Sequence, residues 1–363
     1  MKQSKLLLCL VLSATTLCAS CEEITPEDYF GGGYKLGYES ETRGTEPLDV
    51  DVDFGEDTEE ARGTDPNIDS SAAPTALTLE PADTPDTTPD EVQVATVDPF
   101  LSVIKEDKDD KPQASGVFVV GNNTITYGLN LDKQTEPGGV TKLLTALTAF
   151  DVFNGALTAE IDIGNELNLL DSDSKRAGLY SGKIVTLETA LAGLLVAGGN
   201  DAAYSIAVNA AETALGGSDL DKAALVKYFV EMMNEKARTL GMDASVFVNP
   251  DGIHAVGQAT TARDMLRLSA AVAETPALAK LAGTRTYSGN FLDGTSLKFE
   301  NSLPVIASHT PEGLRSGYSD DTGYLFAGLF NENGKTIVTF VTGCDTPDER
   351  VSRTVELLGR LTA

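Results

Sequence analysis

An α+β fold is predicted, with an antiparallel sheet joining both ends of a globular region and packed with a helical subdomain. The order of periodic segments carries this: two strand-like runs, five runs at helical spacing, two more strand-like runs and a closing helix. A compositional break near residue 113 sets where the region begins. The chain has 363 residues, 41% of them hydrophobic, enough for one domain of about 250 residues with a core and some non-globular chain.

Taken in order, Lys2 and Lys5 precede the apolar run Leu6–Leu12, and small residues follow up to Cys21. A charged start, a short apolar stretch and a small-residue exit describe a secretory signal over 1–20, too short to span a membrane as a stable helix. Cys18-Ala19-Ser20-Cys21 resembles a lipobox, so Cys21 is the expected mature N-terminus and lipidation site. Ordinary cleavage after Ser20, leaving a free thiol, is the alternative. A lipidated cysteine carries two or more acyl chains, enough for stable anchoring. The expected location is the cell envelope, lipid-anchored on the extracytoplasmic side.

Residues 21–112 are rich in Asp, Glu, Thr, Pro and Gly. Between Glu22 and Asp98 lie 22 acidic and 3 basic residues, a large part of the net charge of −28. Such a segment buries too little apolar surface to offset its ordering entropy and is expected to be a self-repelling tether. The near-duplicates Arg43-Gly44-Thr45-Glu46-Pro47 and Arg62-Gly63-Thr64-Asp65-Pro66 hint at a weak repeat. The charge argues against nucleic acid, which needs clustered Lys and Arg. Three of the four cysteines fall in the first 21 residues, and His254 and His309 are the only histidines. No metal and no cofactor is therefore expected.

In the domain expected over 113–363, Val117–Val120 and Thr124–Leu129 flank an Asn-rich turn and read as a hairpin. Leu143, Leu144, Leu147 and Phe150 recur at helical spacing, and further helices are expected at 187–197, 201–213, 222–240 and 262–273. Tyr324–Phe330 and Thr336–Val341 form a second hairpin around Asn331-Glu332-Asn333-Gly334, before an amphipathic helix near 348–361. Cys344 reads as a packed small hydrophobe, and both histidines read as loop residues without partners.

Three motifs stand in this frame. Pro137-Gly138-Gly139-Val140-Thr141-Lys142-Leu143-Leu144 resembles the nucleophile helix of D-alanyl-D-alanine carboxypeptidases, the low-molecular-mass penicillin-binding proteins. Ala197-Gly198-Gly199-Asn200-Asp201 resembles their second motif, and Gly313-Leu314-Arg315-Ser316-Gly317-Tyr318-Ser319 their third. Met233-Asn234, Phe247–Gly252, Thr261–Met265 and Asn301-Ser302-Leu303 match between them, so the similarity runs in order from about 114 to 361. It implies a DD-peptidase/β-lactamase-like fold and peptidoglycan stem peptides ending in D-Ala-D-Ala as partner. Family members often carry a C-terminal β-domain and membrane helix. Here the chain ends after its last domain helix, and the N-terminal lipid is expected to replace that anchor.

In the family, S-x-x-K puts a serine and a lysine on one helix face, where the lysine takes the hydroxyl proton. The nucleophile's own backbone N–H helps to hold the oxyanion. S-x-N adds a relay hydroxyl and an amide for the substrate. K-T-G, on a strand edge, meets the terminal carboxylate and pairs with the peptide. This chain keeps Lys142, Asn200 and Gly317, and it has Arg315 and Ser316 for Lys and Thr, with Tyr318 beside them on the substrate side. The nucleophile position is Gly139 and the second serine position is Gly198.

Whether the chain is an enzyme is therefore open. A catalytically defective member that keeps a peptide-binding cleft is the favoured expectation. An active carboxypeptidase using Lys142-activated water, and a structural surface lipoprotein with a vestigial cleft, are the alternatives. Ser172-Asp173-Ser174-Lys175, Ser102-Val103-Ile104-Lys105 and Ser288-Gly289-Asn290 read as chance motif matches, and Thr141 points off the Lys142 face.

Overall fold

A six-stranded sheet organises the computed structural model, which describes residues 98–122 and 124–361. The expected signal over 1–20, Cys21 and the tether up to residue 97 lie outside the described residues. Strands β1 (Val103–Asp107), β2 (Ala114–Val119) and β3 (Ile125–Leu129) come first. β8 (Gly313–Ser319), β9 (Gly323–Glu332) and β10 (Lys335–Cys344) come last. The sheet order is β1-β3-β2-β10-β9-β8, antiparallel except for the parallel pair β1–β3. β2 and β10 pair through Ile337↔Val119 to Thr342↔Ala114, so the two ends of the domain meet mid-sheet as expected. Asn333 (φ 53°) and Gly334 (φ 77°) turn β9 into β10, both in the left-handed region that a two-residue hairpin turn needs.

Period-2 alternation along β10 feeds two cores. Val338 and Phe340 face the helical block, whereas Ile337 and Val341 pack with Phe326, Phe330, Leu357 and Leu358 beneath the C-terminal helix. The helical block holds α1 (Thr141–Val152), α2 (Leu187–Ala192), α3 (Asn200–Ala214), α4 (Lys222–Thr239), α5 (Ala262–Ala273) and α6 (Pro276–Gly283). Every residue of α1 from Thr141 to Ala149 is buried, which makes it the central helix. Helix α7 (Pro347–Gly359) starts where the Thr346 hydroxyl caps the Glu349 N–H. Two small hairpins, β4–β5 (Glu160–Ile163, Lys183–Thr186) and β6–β7 (Thr286–Asn290, Ser296–Glu300), were not expected from the sequence, and neither was α6. No helix among the described residues is long and apolar enough to cross a membrane.

The domain boundary expected at 113 moves back to at least residue 98. β1 is a polar edge strand held by main-chain pairing to β3 (Val103↔Ile125, Asp107↔Leu129), which composition does not reveal. Ahead of it the Asp98 carboxylate pairs with Arg267, and the Phe100 ring sits 5.1 Å from that guanidinium and 4.3 Å from Phe118.

Candidate active site

Three walls converge on one cavity of about 680 Å³. The first is the single 3₁₀ turn Gly138–Val140 leading into α1, with Lys142 at the second position of the helix. Gly252 (φ 78°) packs directly on the Gly138 carbonyl, and any Cβ there would collide with it. The second wall is a stretch of π-helix, Gly193–Ala197, closed by Gly198 in the left-handed conformation (φ 74°) before Asn200 opens α3. The third is β8, an edge strand whose outer side has no neighbour among the described strands. Gly139, Lys142, Gly198, Asn200, Arg315, Ser316, Gly317 and Tyr318, the expected site residues within the described chain, all line this cavity.

The two glycines at the positions expected for the motif serines are not equivalent. Among the described residues, a Cβ on Gly139 would meet Gly317 Cα and Ser316 O, each at 3.9 Å, ordinary contact distance, so a Cβ fits there. A Cβ on Gly198 would lie 2.6 Å from Arg315 Cζ, closer still to Nη2, and in a backbone conformation that disfavours side chains. Arg315 thus fills the space that a side chain at position 198 would need. Its Nη1 donates to the Leu195 carbonyl at 3.2 Å, and its Nε is buried without an acceptor among the described residues.

The inner wall is cationic. Lys142 is 4% exposed, and its Nζ donates to the Asp251 backbone carbonyl at 2.6 Å. Burial pushes the Lys142 ammonium down to about 7, with Arg315 and Lys175 adding to the shift and the Asp251 carboxylate opposing it. Burial lowers Arg315 to about 10, and burial followed by the Arg315 charge lowers Lys175. The Asp251 carboxyl is raised by burial, against the pull of Lys142. At neutral pH the Lys142 amine is therefore part free base, the form that takes a proton.

Ser316 Oγ donates to the Ser302 carbonyl at 3.0 Å. Tyr318, half exposed, donates its hydroxyl to Asp320 and leans on Tyr324, ring centroids 4.6 Å apart. Thr141 is buried, does not line the cavity, and its Oγ1 faces the Gly252 turn, in keeping with the helical geometry.

Several residues of the site escape the sequence reading. Ser174 and Lys175, dismissed as a chance match in a charged loop, line the cavity. The buried Asp201 carboxylate folds that loop inward by accepting the N–H groups of Ala177, Gly178 and Leu179 at 2.8–2.9 Å. The Lys175 carbonyl also accepts the Asn200 N–H at 2.7 Å. The expectation that both histidines lack partners is corrected. His254 Nδ1 lies 2.5 Å from Glu136 Oε1 and 3.1 Å from Asp321 Oδ2, and His309 Nδ1 lies 2.7 Å from Glu332 Oε1. These partners come from distant segments, so no local pattern announces them. Cys344 is fully buried at the end of β10, its thiol pushed up to about 12 by burial, as a packed small hydrophobe should be.

A family profile described as D-alanyl-D-alanine carboxypeptidase matches residues 105–346. The D-alanyl-D-alanine carboxypeptidase DacF of Bacillus subtilis is 24% identical over 252 residues, 68% of this chain and 61% of that protein. The D-alanyl-D-alanine carboxypeptidase of Streptomyces sp. K15 is 25% identical over 255 residues, 68% of this chain and 86% of its own. The match to DacA of Escherichia coli K12 spans 55% of that protein, so the chain covers little more than half of some curated relatives. Among solved structures, the Streptomyces K15 DD-transpeptidase superposes with a TM-score of 0.63 at 23% identity, over 70% of this chain and 98% of that one. A likeness at that identity establishes the fold.

Proposed function

Because the chain belongs to the D-alanyl-D-alanine carboxypeptidase family, we propose that it is a catalytically silent member whose cleft binds peptidoglycan stem peptides ending in D-Ala-D-Ala. The observation that carries this reading is the contrast at the cleft: no hydroxyl at Gly139, yet Lys142, Asn200, Arg315 and the β8 edge still around one cavity. An extended peptide can add to the free edge of β8 through main-chain hydrogen bonds. Its terminal carboxylate would meet the cation of Arg315 and the hydroxyl of Ser316. Without a side chain at 139 no acyl-enzyme forms, and the Lys142 amine has no serine proton to take. Water in that space lacks the orientation a tethered nucleophile has.

Calorimetric titration with a D-Ala-D-Ala-ended peptide should give saturable binding, weakened roughly 10- to 100-fold in Arg315→Ala, as expected for a charge-assisted bond to a carboxylate. Absence of binding by the unmodified protein would leave the cleft a structural relic and end this reading.

The same proposal places the protein outside the cytoplasm, held by a lipid on Cys21 after removal of residues 1–20. The Lys2/Lys5 start, the Leu6–Leu12 run and the Cys18–Cys21 segment support this. Expressed in a bacterial host, the protein should fractionate with membranes, and Cys21→Ala should release it. Membrane retention of that variant would rule out the lipid anchor.

A further inference from the structure

We propose that Glu136, His254 and Asp321 form a three-ligand site for a divalent transition metal, Zn²⁺ by its donor set, at the mouth of the cleft. The three side chains come from separate segments. Glu136 leads into the Gly138–Val140 turn, His254 follows Gly252, which packs on Gly138, and Asp321 sits in the β8–β9 turn. One nitrogen and two carboxylate oxygens lie within 4.8 Å of one another, with His254 Nδ1 between the acids at 2.5 and 3.1 Å.

As a hydrogen-bonded cluster this arrangement is incomplete. The Nδ1 atom of His254 carries at most one proton, and two carboxylates converge on it. A dication in place of that proton neutralises both acids and accepts the imidazole lone pair. Metal–ligand distances of about 2.0–2.2 Å put tetrahedral ligands roughly 3.4 Å apart, which small rotations of the exposed His254 and Asp321 side chains reach. Imidazole with carboxylates suits Zn²⁺, whereas Ca²⁺ and Mg²⁺ favour all-oxygen sets. His254 and Asp321 both line the cavity, so the three-residue cluster borders it. A bound ion would tie the nucleophile turn, the loop after Gly252 and the β8–β9 turn together, independently of what the cleft binds.

The remaining histidine offers a control. His309 has one acidic neighbour, Glu332, and belongs to no three-ligand cluster among the described residues. Chelator-stripped full-length protein should take up Zn²⁺ at a saturable site that raises its melting temperature. His254→Ala and Asp321→Ala should each weaken that uptake about tenfold or more and abolish the thermal shift, while His309→Ala leaves both unchanged. Zinc uptake and thermal shift that survive both site variants, or no saturable uptake by the unmodified protein, would overturn the assignment.

Discussion

The triple variant Gly139→Ser, Gly198→Ser, Arg315→Lys should be labelled covalently by fluorescent penicillin, whereas the unmodified chain should not be. At position 139 a Cβ meets its neighbours at ordinary contact distance and the backbone is not left-handed, so a serine should be accommodated in the turn that leads into α1. The amine of Lys142, three residues along, is already held low enough to act as its base. Losing the nucleophile of a serine hydrolase costs on the order of a million-fold, so even an imperfect restoration should gain about a thousand-fold or more over the unmodified chain. Gly139→Ser alone should recover only part of this, because the relay hydroxyl at 198 stays absent. Labelling of the triple variant should rise with pH through about 7 and level off above it, because only the uncharged amine accepts the serine proton. A folded triple variant that remains unlabelled would mean that the cleft has lost more than its hydroxyls.

Gly198→Ser by itself should be strongly destabilising. Residue 198 holds φ at 74°, which costs a non-glycine residue about 1 kcal/mol or more. Its Cβ also displaces a buried guanidinium from the Leu195 carbonyl. Together these predict a loss of roughly 2–4 kcal/mol, a fall in melting temperature of about 4–16 °C for a domain of this size. In an Arg315→Lys background the steric part disappears while the backbone strain stays, so the two substitutions should couple by about 1–2 kcal/mol in a double-mutant cycle. Additive effects would show that Arg315 does not depend on the glycine. Such coupling would make residues 198 and 315 one packing unit, in which the guanidinium of Arg315 occupies the space over Gly198.

Much of this fold is legible in the sequence because its elements carry their own signals. The Asn333-Gly334 turn announces β9–β10, and Leu143, Leu144, Leu147 and Phe150 announce α1 by spacing alone. β1 is silent because an edge strand can be polar and still pair through its main chain. The small hairpin β4–β5 is silent because its two four-residue strands are separated by a long loop rather than a tight turn. At the candidate site, motif spacing points to Lys142, Asn200 and Arg315, which the fold brings to one cavity. What it misses depends on tertiary folding: Lys175 turns inward through Asp201, and His254 meets its two acids only when three distant turns come together. The occupation of Gly198's space by Arg315 is likewise a property of packing, invisible until both residues are placed.

The intact mass of the unmodified protein, followed during incubation with a D-Ala-D-Ala-ended peptide, tests the central claim most directly. The account predicts a mass that never changes and no accumulation of free D-alanine. A transient acyl adduct, or D-alanine released at a rate that Lys142→Met abolishes, would contradict it.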